Sequence, residues 1–255
     1  MRHKLLPFIS VVIPAYNEST MLPLCLKVVC DQDYKGNYEI IVVDNSSSDE
    51  TPEIVKSLKN KNIILLNESR IGVSYARATG FKAARGEIIA STDADTIVPR
   101  NWLTLIAQSL EDTSVSGLVG AYKLCNTNTL SKKFVQILVP LFRTVDLVLG
   151  AHFAGANFAI RKDVYEKVGG FDHSFITGED LDLSYRVRKE GYDLKVAYHI
   201  MVKTSARRLN EGFWNTFINY VLRNWFSLVF FHHPYLQKLT AVREQPKEIE
   251  DFVES

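Results

Sequence analysis

The chain has 255 residues, 46% of them apolar and 23% charged, with a formal net charge of +1. Those totals suit one large globular domain with a substantial core, and they exclude both a disordered chain and a uniformly basic binder of nucleic acid. Three cysteines, Cys25, Cys30 and Cys125, make neither a disulfide framework nor a metal cluster; they read as small buried residues in a reducing compartment.

Met1–Lys4 followed by Leu5–Tyr16 has the basic-then-apolar order of a signal peptide, but Pro7 and Pro14 interrupt it. It reads as a lead-in to a strand, so a cytoplasmic protein is expected, or one peripheral on the cytosolic face of a membrane. Phe8–Ile13 is a continuous apolar run, as in a strand buried on both faces. A helix follows, with Leu22, Cys25, Leu26 and Val29 on one side and Pro23 tolerated in its first turn. Glu39–Val43 is a second strand. A helix then starts at Asp49–Pro52, with Thr51 as the N-cap and Pro52 in the first helical position.

Ile63–Leu66 reads as a third strand, Ile71–Ala84 as a helix closed by Arg85-Gly86, and Glu87–Thr92 as a fourth strand. A helix opened by Pro99-Arg100-Asn101 runs to Leu110, and Gly117–Tyr122 is a fifth strand. Strands alternating with helices predict a mostly parallel sheet. From Ser131 to Phe153 the chain is strongly apolar, but Pro140 argues against a single straight membrane span. A short strand at Asn157–Ile160 and helices at Lys162–Val168 and Asp180–Glu190 complete the pattern. In Phe213–Phe231 the residues Asn215, Asn219, Arg223 and Ser227 draw one polar stripe along an apolar helix, which fits packing on the domain or lying in a membrane interface. Residues 244–255 form a charged tail, expected to be loose.

In open parallel sheets, ligands bind at the carboxyl ends of the strands. Here those ends carry Pro14-Ala15-Tyr16-Asn17-Glu18, Asp44-Asn45-Ser46 and Asp93-Ala94-Asp95. A dinucleotide site would need a glycine-rich turn after the first strand, and that turn has no glycine. Asp93 and Asp95, two apart in extended backbone, would project to one side and repel unless a cation or donor joins them. Mg²⁺ or Mn²⁺ held by one or two carboxylates and completed by substrate phosphates meets that need.

Five segments in order, Ser10–Ser19 (SVVIPAYNES), Glu39–Thr51, Gly72–Leu103, Gly155–Asp172 and Gly178–Gly191, resemble family 2 glycosyltransferases of the GT-A fold. The resemblance implies an α/β fold with a central, mostly parallel sheet flanked by helices and a C-terminal amphipathic helical appendage. The catalytic domain would span 1–205, the appendage 206–240 and the tail 241–255. It implies an inverting enzyme that takes a sugar from a UDP- or GDP-sugar. Pro14, Ala15, Tyr16, Glu18 and Asp44 would surround the donor's base and ribose, with Arg77 near the nucleotide or its phosphates. Asp93 and Asp95 would hold the divalent metal and diphosphate. Gly155, Ala156 and Asn157 would lie beneath the donor sugar, and Asp180 would be the general base.

Asp180 also fits a helix-capping pattern with Thr177, which would lower its pKa, whereas burial or the neighbouring Glu179 would raise it. His199 lies near the stretch where many GT-A enzymes place a further metal ligand, although Thr204 or Ser205 is nearer that position. The Gln-x-x-Arg-Trp motif of processive synthases is missing, so single additions are expected. Arg207 and Arg208, with Glu179, are candidates for contact with a phosphate or the acceptor. The acceptor is expected to be a growing glycan or a polyprenyl-linked lipid. Two alternatives remain open on sequence: a degenerate transferase kept as a membrane scaffold or sugar-binding subunit, and a sugar-phosphate nucleotidyltransferase. The second lacks its glycine- and arginine-rich loop.

Overall fold

The computed structural model describes residues 5–126, 151–173, 175 and 178–207. The apolar stretch at 131–150, Thr177, Arg208, the 213–231 helix and the charged tail lie outside them. Among the described residues eight strands form one sheet: β1 (Ile9–Ala15), β2 (Tyr38–Asp44), β3 (Ile63–Asn67), β4 (Ile88–Ser91), β5 (Thr96–Ile97), β6 (Val115–Cys125), β7 (Phe158–Arg161) and β8 (Asp193–Ser205). Six helices connect them: α1 (Leu22–Cys30), α2 (Thr51–Ser57), α3 (Val73–Ala83), α4 (Trp102–Ser109), α5 (Lys162–Lys167) and α6 (Glu179–Lys189).

The strand order is β3-β2-β1-β4-β7-β6-β8-β5. The first four of these strands run parallel, as the alternating βα pattern predicts. β7 then enters antiparallel between β4 and β6, β6 and β8 are parallel, and β5 closes the edge antiparallel to β8. The sheet is therefore more mixed than the sequence pattern suggests. A short strand such as β7 carries no mark of its direction, because a four-residue apolar run reads the same in either sense.

β1 and β2 bury residues on both faces, so their apolar runs do not alternate with polar positions. Odd positions of β1 (Ile9, Val11, Ile13) pack with α1 and α4, whereas Val12 faces α3, α5 and α6. Each fully buried aliphatic side chain of this kind contributes about 1.5–3 kcal/mol. α3 lies close against the sheet: a Cβ at Gly80 would meet Val12 Cγ1 at 2.4 Å and Val43 Cγ2 at 3.0 Å. That approach puts Arg77, one turn earlier on the helix, over the ends of the strands.

Thr51 is the first residue of α2 rather than its cap. Asp49 takes the capping part, accepting from the Thr51 backbone N–H at 3.0 Å and its hydroxyl at 2.5 Å. Ala206 and Arg207 are buried, and the Ala206 N–H donates to the Cys125 carbonyl at 2.9 Å. The chain thus stays packed on the sheet just beyond residue 205. No helix of the described residues is long and apolar enough to cross a membrane.

Candidate active site

Pro14 and Ala15 are the last two residues of β1, buried and in register with Val43 and Asp44 of β2, and Tyr16 is half-buried just beyond them. The following loop is joined to the loop after β2. The Asn17 N–H donates to Ser47 Oγ (2.9 Å), the Glu18 N–H to Thr51 Oγ1 (2.8 Å) and the Ser19 N–H to Asp49 Oδ2 (3.1 Å). Asn17 and Ser46 take left-handed backbone with φ of 52° and 62°, which turns the chain sharply at both strand ends.

Asn45 ties in the third loop: its amide donates to the carbonyls of Glu68 and Arg70 at 2.9 and 2.8 Å and accepts from the Gly72 N–H at 2.8 Å. Asp44 is 3% exposed; its Oδ2 accepts from the Ser47 N–H at 3.3 Å, while its buried Oδ1 has no hydrogen-bond partner among the described residues. A buried polar oxygen without a donor is costly, so this atom is a natural acceptor for a ligand hydroxyl or N–H.

Asp93 and Asp95 sit in the turn between β4 and β5, not in extended backbone, with the Thr96 N–H bonded to the Asp93 carbonyl at 3.1 Å. Each of the two carboxylates has a positive partner. Arg77, 4% exposed, donates to Asp93 Oδ1 at 2.5 Å and, through its other terminal nitrogen, to Glu179. Asp95 faces the Thr204 hydroxyl and Arg207, both at 3.5 Å. Arg207 also forks onto Glu18. His199 is turned elsewhere, its Nε2 lying 3.4 Å from Ser109 Oγ, whereas Thr204 is the residue that meets Asp95.

α6 starts after Gly178, whose φ of 77° is left-handed, so the capping position is a glycine and Glu179 and Asp180 open the helix. Asp180 is buried, with Oδ2 accepting the Gly155 N–H at 2.8 Å and Oδ1 the Leu181 N–H at 2.9 Å. Burial raises its pKa above the ordinary carboxylate range, against the opposing pull of Arg77 and the two N–H donors. Glu179 is raised for the same reason, again opposed by Arg77. Burial, expected to raise a carboxylate's pKa at this helix start, is the largest influence on both.

The loop before β7 is held by hydroxyls at the end of β4: Ser91 Oγ donates to the Gly155 carbonyl (3.3 Å) and Thr92 Oγ1 to that of Ala156 (3.0 Å). A Cβ at Gly155 would lie 2.0 Å from the Arg77 guanidinium. Asn157 is fully buried, accepts from Trp102 Nε1 at 2.9 Å and donates to the carbonyls of Ala121 and Ile200, both at 2.9 Å. Its amide joins α4, β6 and β8 and braces the loop. Ser91 and Thr92 escaped the sequence reading, although two hydroxyl residues directly before Asp93 were a visible signal.

Segments far apart in sequence therefore meet at one edge of the sheet. Residues 10–169 match the family model described as glycosyl transferase family 2. The chain belongs to that family. Its relatives include the glycosyltransferase AglE of Haloferax volcanii, 32% identical over 81% of this chain and 69% of that protein. Another is the dolichyl N-acetyl-α-D-glucosaminyl phosphate 3-β-D-2,3-diacetamido-2,3-dideoxy-β-D-glucuronosyltransferase of Methanococcus voltae, 29% identical over 84% of this chain and 71% of that one. The mannosyltransferase PcManGT of Pyrobaculum calidifontis, solved with GDP-Man and Mn²⁺, superposes with a TM-score of 0.71 at 22% identity, covering 91% of this chain and 66% of that one. S. aureus TarS 1–349 with UDP-GlcNAc gives 0.60 at 19% identity, covering 77% and 58%. The fold of this family 2 glycosyltransferase is GT-A.

Proposed function

We propose that this protein is an inverting, non-processive transferase that moves a sugar from a UDP- or GDP-sugar to a glycan or lipid-linked acceptor. The observation that carries the reading is the Arg77 bridge. It joins Asp93, in the turn after β4, to Glu179 at the start of α6, where the adjacent Asp180 holds the Gly155 N–H. A group for the departing diphosphate and a group for the acceptor proton are thereby fixed in one cluster.

In this reading Asp44 Oδ1 accepts from the base or ribose of the donor. Asp180 removes the acceptor's hydroxyl proton as that oxygen forms a bond to the anomeric carbon from the face opposite the diphosphate, whose bond to the same carbon breaks. A raised pKa favours this role, because the base lies nearer the working pH. The oxygen donors Asp93, Asp95 and the Thr204 hydroxyl suit a hard divalent cation that keeps several ligands from substrate phosphates. Among the described residues no three acidic, His or Cys side chains are grouped so as to hold a metal by themselves. When bound, Mg²⁺ or Mn²⁺ supplies Lewis-acid neutralisation of charge on the leaving diphosphate.

Support for the donor comes from the structural relatives solved with GDP-Man and UDP-GlcNAc, and for a lipid-linked acceptor from the dolichyl phosphate in the name of the Methanococcus voltae enzyme. Peripheral membrane contact through 213–231 rests on that segment's sequence pattern, and flotation with anionic liposomes tests it. The donor reading is tested by thermal shift with UDP, GDP and CMP sugars, with and without Mn²⁺. A UDP or GDP sugar should raise the melting temperature in the presence of Mn²⁺, and Asp95→Ala should abolish the rise. Stabilisation that is equal in parent and variant and needs no metal would remove Asp95 from this role.

A further inference from the structure

At the start of β3, away from the strand ends that carry Asp44 and Asp93, lies a group of charges that the proposed reaction does not use. β3 is the last strand in the sheet order, and Ile63, Ile64, Leu65 and Leu66 are all half-buried. Two hollows, of about 360 and 470 Å³, adjoin the turn that joins α2 to β3. Both are lined by Leu58, Lys59 and Ile63; one extends to Val55 and Leu65, the other to Leu26 and Cys30 of α1. Lys56, Lys59 and Lys61 line the first and Lys27 and Lys59 the second, with no acidic residue in either lining among the described residues. All four lysines are exposed, and only Lys56 has an ion pair among the described residues, with Glu53 at 3.7 Å. Lysines guard an open sheet edge against pairing with other chains, which accounts for the charge but not for the apolar hollows beneath it. Four like charges in a chain of net charge +1 repel one another, and a partner both acidic and apolar relieves that repulsion while covering Leu58, which is 38% exposed.

The sequence itself holds a partner of that chemistry. Residues 248–255 set Ile249, Phe252 and Val253 among Glu248, Glu250, Asp251 and Glu254, four acidic side chains opposite in sign and equal in number to the four lysines. About forty residues separate this segment from Arg207, where the described chain ends, and that length spans up to roughly 130 Å. A domain of this size is only about 45 Å across, so the segment reaches any face of it. We propose that residues 248–255 dock on the lysine-rimmed hollows between α1, α2 and the start of β3 of the same chain, with their apolar side chains against Leu58 and Ile63. The docking is independent of the transferase reading, because none of its residues belongs to the proposed site.

The test is zero-length carbodiimide crosslinking of the full chain, which joins a lysine to a carboxylate only where the two touch. Peptide mapping of the monomer fraction should show bonds from Lys56, Lys59 or Lys61 to the acidic residues of 248–254, with the exposed pair Lys167–Asp163, at 3.0 Å, as internal control. A second arm follows a labelled synthetic peptide of residues 248–255 by fluorescence anisotropy. Its receptor is the full chain carrying Glu248→Gln, Glu250→Gln, Asp251→Asn and Glu254→Gln, so that its own segment does not compete. Adding Lys59→Glu and Lys61→Glu to that chain should weaken the peptide about tenfold, and a peptide with Glu250→Lys and Glu254→Lys should recover the loss. Both lysines are exposed, and a melting curve verifies the fold; Lys27→Glu with Lys56→Glu replaces the pair if it does not hold. Bonds confined to a dimer fraction would give the hollows to a second copy and overturn docking within the chain. An absence of bonds while Lys167–Asp163 reacts, or peptide binding indifferent to the lysine reversals, would overturn it too and leave the lysines as guards of the sheet edge.

Discussion

Along the ends of β1, β2 and β3 the loops are joined mainly by Ser47, Thr51, Asp49 and Asn45 bonding to backbone. Around the β4–β5 turn, the end of β8 and the start of α6, the links are instead ion pairs among buried or half-buried charges: Arg77 with Asp93 and Glu179, Arg207 with Glu18 and Asp95. The two constructions respond differently to a ligand. Side-chain bonds to backbone fix shape and are indifferent to an arriving ion. Paired charges are sensitive to it, since removing or replacing one partner leaves the other uncompensated. Under the proposed function, the donor's base and ribose meet the first bank, and the diphosphate and acceptor meet the second.

The hardest blow to the charged bank is Asp180→Asn. Turnover should fall about 10²–10⁴-fold, the usual worth of a general base. Stability should move the other way. Burial raises the pKa of Asp180 above the ordinary value of 3.8, so ionising it costs folded-state stability. That stability is full below the ordinary value and is lost as pH rises through the raised one. Relative to the parent, the variant's melting temperature should therefore rise as pH goes from acid toward neutral, on top of the cost of losing one of two N–H acceptors. A difference between variant and parent that does not change with pH would make Asp180 chiefly an anchor for Gly155.

Asn157→Leu probes the brace between the banks. It strands the Trp102 N–H and two carbonyls, and urea unfolding should show a loss of about 3–5 kcal/mol. A stable variant with a raised donor KM would return Asn157 to the donor site. Asn45→Ala, on the first bank, should cost about 1–2 kcal/mol with little dependence on salt, because the bonds it loses are to backbone. Strong salt dependence there would blur the contrast between the banks.

Much of this arrangement was legible because local pattern and tertiary role agree. β1, β2 and β4 are mostly apolar runs, broken only near their starts by Ser10 and Glu39, and the polar clusters that follow them gather at one edge. β8 was not legible. Its burial alternates irregularly around a register shift between Gly120 and Ala121 of β6, and exposed Lys195, Tyr198, His199 and Met201 break any period of two. β5, of two residues, is too short to leave a pattern. The bracing part of Asn157 was not legible, because its residue type suits a ligand contact as well as a buried brace. The ion pair between Arg207 and Glu18 joins residues 189 apart, a distance over which hydrophobic periodicity carries no information.

Under the proposed function, Gly155 stands one methyl group away from an inert site. Its backbone is not left-handed, so alanine meets no conformational barrier there. The single added methyl would still press on the guanidinium that reaches both Asp93 and Glu179. A lineage that acquired it would keep its sheet, its helices and its surface while losing alignment between leaving group and base. Gene duplicates of such a chain have a one-step route to becoming folded, silent binding proteins.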